Sequence, residues 1–336
     1  MITIDASSLT ERFDYTTFFA EYYAGLPTGS STYHGGEPDF AFGGEYYVSG
    51  SQVSFTFGED SDAMVLLVGE EIAYDFIHHG AAYGHGISGE IDSVIFGYAD
   101  EDTTTEGGTE NGEVSGLDGL VISGLDLVAE PGSGNVPENP VYQLYDAART
   151  GLNGEDGEDP IGDLYDIFSA GDQHFIGSAQ NDKFFAGDGD DLLEGNGGRD
   201  HLAGHKGHDT LDGGAGRDFL RGGAQGDELS GGAGNDKLFG GNGVDELFGG
   251  EGEDVIIGGR DVDRLWGGEG EDTFLYRNAS DSTVDRFDRI KDFETGVDKI
   301  DLSALGDLTF VEEFSGTAGE VLIDDQGRQS AVEADL

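Results

Sequence analysis

Cysteine is absent from these 336 residues, so neither disulfides nor thiolate metal sites hold the fold. Basic residues are scarce: 16 Lys and Arg stand against 70 Asp and Glu, a formal charge of -54. Phosphate binding needs Lys/Arg clusters, which excludes nucleic acid as a partner. An anionic membrane surface is disfavoured for the same reason. No apolar run approaches the ~20 residues of a spanning helix, so no membrane insertion is expected. Met1 to Thr10 lacks the basic start and apolar stretch of a secretory signal peptide, which taken alone reads as cytoplasmic. Proline is sparse, six in all, the last at Pro160. A charge so one-sided opposes compaction unless counter-ions bind.

Glycine, by contrast, is abundant: 60 residues, of which 29 fall between 171 and 275. A Gly-rich acidic chain invites a reading of disorder. The 21 Phe and 13 Tyr argue against that over most of the length. Within 171–275 the order is strict. Aspartates recur every nine residues at Asp182, Asp191, Asp200, Asp209, Asp218, Asp227, Asp236, Asp245, Asp254, Asp263 and Asp272. Two positions after each stands an apolar side chain, from Phe184 and Leu193 through to Leu265 and Phe274. A disordered linker has no reason to keep such a metre.

Each nonapeptide divides into a six-residue turn and a three-residue strand. Glycine permits positive φ and leaves carbonyls bare, the aspartate supplies a hard carboxylate, and the apolar residue points inward. Stacked turns give two thin parallel sheets facing each other. Hard oxygen donors suit Ca2+, which takes six to eight of them. Asp191, Asp200, Asp209, Asp218, Asp227, Asp236, Asp245, Asp254, Asp263 and Asp272 are the expected calcium ligands. Asp182 follows Ser178-Ala179-Gln180-Asn181 without the glycines, so its register is the doubtful one. A fold of this kind needs its metal: unfolded at cytosolic calcium, folded outside the cell. His201, His205 and His208 have a spacing that would meet at zinc on a helix, but here they fall at different phases of the turn and are expected to point apart.

The metre resembles the RTX nonapeptide, a calcium-binding repeat. That resemblance implies export of the unfolded chain by type I secretion machinery reading an uncleaved C-terminal signal, which would account for the missing N-terminal one. The run Asp288 to Leu302 resembles the segment that follows the roll in serralysin-type secreted proteases. It does not import their activity: neither H-E-x-x-H nor G-x-S-x-G occurs in the sequence.

Residues 1 to about 170 differ in composition. Ser8 to Glu11 reads as a capping box opening a helix with Phe13, Phe18, Phe19, Tyr22 and Tyr23. Strand-like runs follow at 46–48, 52–57, 64–68, 72–77, 92–98 and 120–128, suggesting an antiparallel sheet. Asn139-Pro140 and Asp159-Pro160 each start a helix. His34 sits in a Ser/Gly-rich stretch that reads as a loop, and His78, His79 and His85 follow the strand that ends near Ile77. By chemistry alone these could be surface histidines, since no paired-His metal spacing appears among them.

Their order resembles the Has-type haemophores, extracellular haem scavengers of Gram-negative bacteria. In that family a strand bearing an axial Tyr leads into a His-containing loop and then a Gly-x-Leu-Asp-Ser strand. Here Tyr74 opens the segment, and His85-Gly86-Ile87-Ser88-Gly89-Glu90-Ile91-Asp92-Ser93 closes it. The resemblance implies ferric haem b (protoporphyrin IX) as cofactor, Tyr74 as axial ligand, His85 as its hydrogen-bonding partner and His34 as the opposite ligand. The loop from Tyr74 to His85 is three residues longer than the family pattern, which leaves His78 and His79 as alternatives. An outer-membrane haem receptor would be a partner.

The expectation is therefore a non-enzymatic, secreted, extracellular, monomeric haem-binding protein. Residues 1–170 form an α+β haemophore-like domain, an antiparallel sheet with helices on one face. Residues 171–275 form an all-β parallel β-roll, and 276–336 a roll cap with the type I signal. An RTX adhesin or calcium-stiffened binding module without haem is the alternative. A secreted hydrolase is a third, since carboxylates are plentiful.

Overall fold

The computed structural model describes residues 1–34, 49–58, 61–74, 87–99, 103–105, 114–115, 117, 119–129, 140–150, 160–169, 171–278, 280–282, 286–305, 309–310, 320–325 and 328–334. The chain divides into two compact units. One comprises Met1–Leu9 and Thr17–Ala170, the other Thr10–Thr16 and Gly171–Leu336.

The first unit is built on strands β1 (Ile2–Asp5), β2 (Ser30–His34), β3 (Ser49–Thr56), β4 (Ala63–Tyr74) and β5 (Ile87–Tyr98). A two-residue pair, β6 (Thr104–Thr105) and β7 (Val114–Ser115), precedes the long β8 (Gly119–Ala129). Antiparallel pairing gives the order β2-β3-β4-β5-β8-β1. Alternation decides the faces. Val53, Phe55, Val65, Leu67, Val94, Phe96, Leu120 and Ile122 are buried on one side. Helix α2 (Pro140–Thr150) packs on that side against β4, β5 and β8, and against helix α3 (Pro160–Phe168). Both begin on a proline, whose missing N–H costs nothing at a first helical position. Leu66 and Leu117, with Met64, Val68 and Ile95, form a smaller cluster on the other face.

Three expectations are corrected here. The run 64–68 and the described start of the run 72–77, as far as Tyr74, belong to one strand, β4, because bulges at Val68/Gly69 and Glu70/Ala73 let it bend without ending. His34 is the last residue of β2, paired with Gln52, and not a loop residue; the ladder with β3 overrides the local Ser/Gly composition. The helix read from Ser8 is only Phe18–Tyr22, α1. The hydroxyl of Ser8 donates to the carbonyl of Gly119 instead of capping a helix. Phe19 and Tyr23 of this aromatic segment are fully buried, and the Tyr22 hydroxyl donates to the carbonyls of Met64 and Gly97. Among the described residues no helix is long and apolar enough to cross a membrane.

The second unit is a parallel β-roll. One sheet runs through Gln173–Ile176, Leu192–Glu194, Thr210–Asp212, Glu228–Gly234, Glu246–Glu251, Arg264–Glu269 and Asp288–Ile290. The other runs through Lys183–Phe185, His201–Lys206, Phe219–Ala224, Lys237–Asn242, Val255–Arg260, Thr273–Leu275 and Lys299–Asp301. Neighbours in a sheet are two nonapeptides apart, as in Leu211 with Leu229 and Leu238 with Ile256. The inward residues from Phe175 through Leu229 to Phe274 and Ile290 are all buried, one per half-coil. That is a thin core, so packing alone does not account for the unit. At its far end Arg328–Ala334 pairs in parallel with Asp288–Ile290 and antiparallel with Glu320–Asp325.

Candidate functional site

The repeat aspartates are deeply buried: Asp182 to Asp272 are each at most 3% accessible. From Asp191 onward each uses one oxygen within the protein. Asp200 Oδ1 accepts the amide of Asp182 at 2.7 Å, Asp236 Oδ1 that of Asp218 at 2.8 Å, and Asp263 Oδ1 that of Asp245 at 3.0 Å. The other oxygen has no hydrogen-bond donor. Oδ2 of Asp191, Asp200, Asp209, Asp218, Asp227, Asp236, Asp245, Asp254, Asp263 and Asp272 is buried and unpartnered. Buried polar atoms are rarely left so, and a regular series of them marks a missing ligand.

The glycine pair shows what the space is for. A Cβ on Gly231 would lie 2.6 Å from Asp236 Oδ2 and 2.5 Å from the carbonyl oxygen of Gly249. On Gly195 it would lie 2.6 Å from both Asp200 Oδ2 and the Gly213 carbonyl oxygen. Carboxylate and carbonyl oxygens thus converge between adjacent coils, with room only because the first glycine has no side chain. The second, as at Gly232 with φ 96°, turns the chain in the left-handed region. Hard oxygens without nitrogen or sulfur fit Ca2+. Bound there, a cation would supply the charge that each orphan oxygen lacks.

Electrostatics agree. Burial, the largest cause throughout, lifts these carboxyls above the ordinary range. Asp191, Asp209, Asp218 and Asp245 rise to about 6, Asp227 and Asp254 to about 7, Asp200 to about 8 and Asp263 to about 9. Without a cation the folded roll resists ionisation of its own ladder.

Sequence reading stopped one rung early. Asp288 is fully buried and accepts the Asp263 amide through Oδ1 at 3.1 Å, with the buried Tyr276 hydroxyl set against its carboxyl. It lies outside the nine-residue metre, 25 positions after Asp263. Its signal was the retained pattern of aspartate followed two residues on by an apolar side chain, in Asp288-Arg289-Ile290. Asp298-Lys299-Ile300 repeats it, but Asp298 gives Oδ1 to the Asp272 amide and Oδ2 to the Glu294 amide, so no oxygen is left over. Asp182 is likewise satisfied: Phe13 and Ser178 donate to its oxygens, consistent with its doubtful register. His201 lies edge-on to Phe185 and Phe219, while His205 occupies a left-handed turn with φ 76°. Among the described residues no three His, Asp or Glu side chains gather at one point, which removes the zinc arrangement.

Gly231→Ala should therefore weaken one inter-coil site without touching a carboxylate. The expected cost is about 1–3 kcal/mol from overpacking. It is read as a higher calcium midpoint in the fluorescence of Trp266, the one tryptophan in the chain, stacked on Phe248 at 4.4 Å. An unchanged midpoint would mean the space beside Asp236 holds no cation.

The first unit offers a sheet rim. His34 ends β2 and pairs with Gln52; Ala73, beside Tyr74, pairs with Ser49; Tyr74 ends β4 and pairs with Ile87. The antiparallel order brings the end of β2, the start of β3, the end of β4 and the start of β5 to one end of the sheet. Along β3 the partners of His34 and Ala73 are three residues apart, about 10 Å at ~3.3 Å per residue. Residues 35–48 and 75–86 both connect strands at this rim. His78, His79 and His85, and the apolar Phe40, Phe42, Phe76 and Ile77, lie outside the described residues.

Known proteins resemble this chain in parts. Residues 169–202 match the family model of the RTX calcium-binding nonapeptide repeat (4 copies), and 207–334 that of the peptidase M10 serralysin C terminal. Serralysin A and serralysin C of Dickeya chrysanthemi are 57% and 54% identical over 54 residues, and the serralysin of Proteus mirabilis 46% over 57. Each match covers 15% of this chain and only 11–12% of the relative. Among solved structures, the holo haemophore HasA of Yersinia pestis is 18% identical, with a TM-score of 0.36, over 49% of this chain and 88% of that one. Its apo form gives 19% and 0.35 over 51% and 89%. A subunit of the Azotobacter vinelandii mannuronan C5-epimerase gives 26% and 0.15 over 49% and 72%. At these scores the structural likenesses carry no inference about this chain. The family matches do: the second unit is an RTX calcium-binding repeat region that runs into a serralysin-type C-terminal region.

Proposed function

We propose that the protein is a secreted haem-binding protein whose first unit captures ferric haem and whose calcium-folded roll serves type I export and extracellular folding. The observation that carries the haem reading is the register of the first sheet. It brings the strand ends bearing Tyr74 and His34 to one rim, and the segment holding His78, His79 and His85 joins β4 to β5 there. A phenol ordinarily titrates near 10, and ferric iron favours its anionic form, so tyrosine is a suitable ligand at that rim. His85 would hold the phenolate by a hydrogen bond, and His34, or else His78 or His79, would occupy the opposite side. With both faces filled no position stays open for catalysis, which suits transport to a receptor and not turnover. The RTX repeats and serralysin-type C-terminal region support extracellular residence.

The test is a haemin titration of the full chain in calcium, followed in the visible spectrum. A saturable one-to-one change with the bands of a tyrosinate-ligated ferric haem is expected. A spectrum indistinguishable from free haemin at every ratio would overturn the haem reading and favour a calcium-stiffened binding module.

A further inference from the structure

The N-terminal edge of the roll is a surface with an occupant, and the occupant comes from the far end of the sequence. From Asp200 to Asp272, the Oδ1 of each rung accepts the amide of the aspartate 18 residues earlier. Asp182 has no such donor, because position 164 belongs to helix α3. Phe13 takes the place: its N–H donates to Asp182 Oδ1 at 3.0 Å. The Lys183 amide donates to the Phe13 carbonyl at 2.7 Å, and the Tyr15 amide to the Lys183 carbonyl at 2.9 Å, so residues 13–15 form a parallel bridge to the first coil, centred on Asp14 and Lys183. Two rings close the core behind it. Phe13 stacks on Phe175 at 5.6 Å between centroids, and Tyr15 packs on Phe184 at 4.7 Å. Lys183 Nζ donates to the Thr16 hydroxyl at 3.0 Å. With Ser178 filling its remaining acceptor sites, Asp182 is satisfied by protein donors where later rungs leave an oxygen for a cation.

We propose that residues 10–16 are the element through which calcium occupancy of the roll reaches the first unit. The edge they bind exists only when the first coils are formed, and coil formation depends on cations at the ladder. The same seven residues are flanked in sequence by β1 and by α1. α1 and the residue after it supply the buried Phe19, Tyr22 and Tyr23 of the first unit's core. Calcium loss releases the segment and loosens the entry to α1. Conversely, a chain lacking the segment needs more calcium to close its first coil. This coupling rests on chain topology and is independent of the haem reading.

Hydrogen exchange on the full chain, with calcium and after its removal, reads the first half. The Phe13 and Tyr15 amides should be protected in calcium and exchange freely without it, whereas Leu66 and Val94 amides, deep in β4 and β5, should not change. Equal protection of Phe13 and Tyr15 in both states overturns the proposal. Phe13→Ala reads the second half. Its cost is shared among many ions that bind together, so the calcium midpoint of Trp266 fluorescence should rise only about twofold. Tyr15→Ala, a smaller lesion at the same edge, should shift it in the same direction. Midpoints equal to that of the parent for both variants would show that the edge does not need its bridge.

Discussion

Stripped of calcium at neutral pH, the chain should lose the roll and keep the core of the first unit. Ten buried oxygens, those of Asp191 through Asp272, then face nothing. An unsatisfied buried polar group costs about 1–3 kcal/mol and a charged one more, so ten together exceed the ~5–15 kcal/mol that holds an ordinary domain. The roll's apolar core, one residue per half-coil, cannot offset that. Among the described residues the first unit carries no such ladder: Phe19, Phe96, Phe168 and Tyr22 pack in an aromatic cluster. Far-UV circular dichroism should lose the roll's share of β signal, and Trp266 emission should shift to the red. Restoring calcium to about 10⁻³ M, the range of extracellular modules, should reverse both. Identical spectra with and without the ion would mean the ladder is stable empty.

Acid should replace part of what calcium supplies. Burial raises the carboxyls of Asp200, Asp227, Asp254 and Asp263 in the folded roll to about 8, 7, 7 and 9. Their unfolded value is near 3.9. The protonated form therefore favours folding: its contribution is complete below pH ~4 and is lost as pH rises through the folded values. Metal-free protein prepared by dialysis should regain roll structure on acidification from pH 8 toward 5. In calcium the slope should reverse, because protons compete with the ion for the same oxygens. Parallel curves for the two states would show that ionisation of the ladder is not what the cation relieves.

How far the sequence reached follows from how each element is specified. The roll was legible because each coil repeats its constraint. An aspartate, a glycine pair and an inward side chain recur with the pitch of the coil, so local pattern and tertiary neighbour coincide. Asp288 escaped since the coil before it carries an insertion, which breaks the count but not the pattern in Asp288-Arg289-Ile290. The bridge at 13–15 has no local signal. Its partners Phe175, Asp182 and Phe184 are more than 160 residues away, and the nearby Ser8 and Glu11 mimic a helix start. His34 was misread for a similar reason: pairing with Gln52 imposes the strand that Ser30-Ser31-Thr32 and the following glycines do not announce. Prolines at 140 and 160 were reliable because the signal is a property of the residue itself.

Replacing Tyr74 should abolish most haem affinity, and replacing His34 should cost less. On the proposed reading Tyr74 brings both a bond and a negative charge to ferric iron. The alanine at position 74 would leave an acidic protein, formal charge -54, to hold a ligand whose propionates it repels. His34 brings a neutral donor from the end of β2, where its backbone is already ordered by Gln52, and His78 and His79 lie in a segment that meets the same rim. Either can take its place as a neutral donor, whereas exchanging the tyrosine removes the anionic one. His85→Ala should act through Tyr74, lowering affinity about 10–100-fold as a lost hydrogen-bonding partner of a ligand does, with the tyrosinate bands displaced and not erased. Haemin titration of Tyr74→Ala, His34→Ala and His85→Ala in calcium-loaded full-length protein orders the three. Should Tyr74→Ala bind as the parent does with the same visible spectrum, iron is held elsewhere. The double variant His78→Ala/His79→Ala then tells whether the segment between β4 and β5 has taken it over.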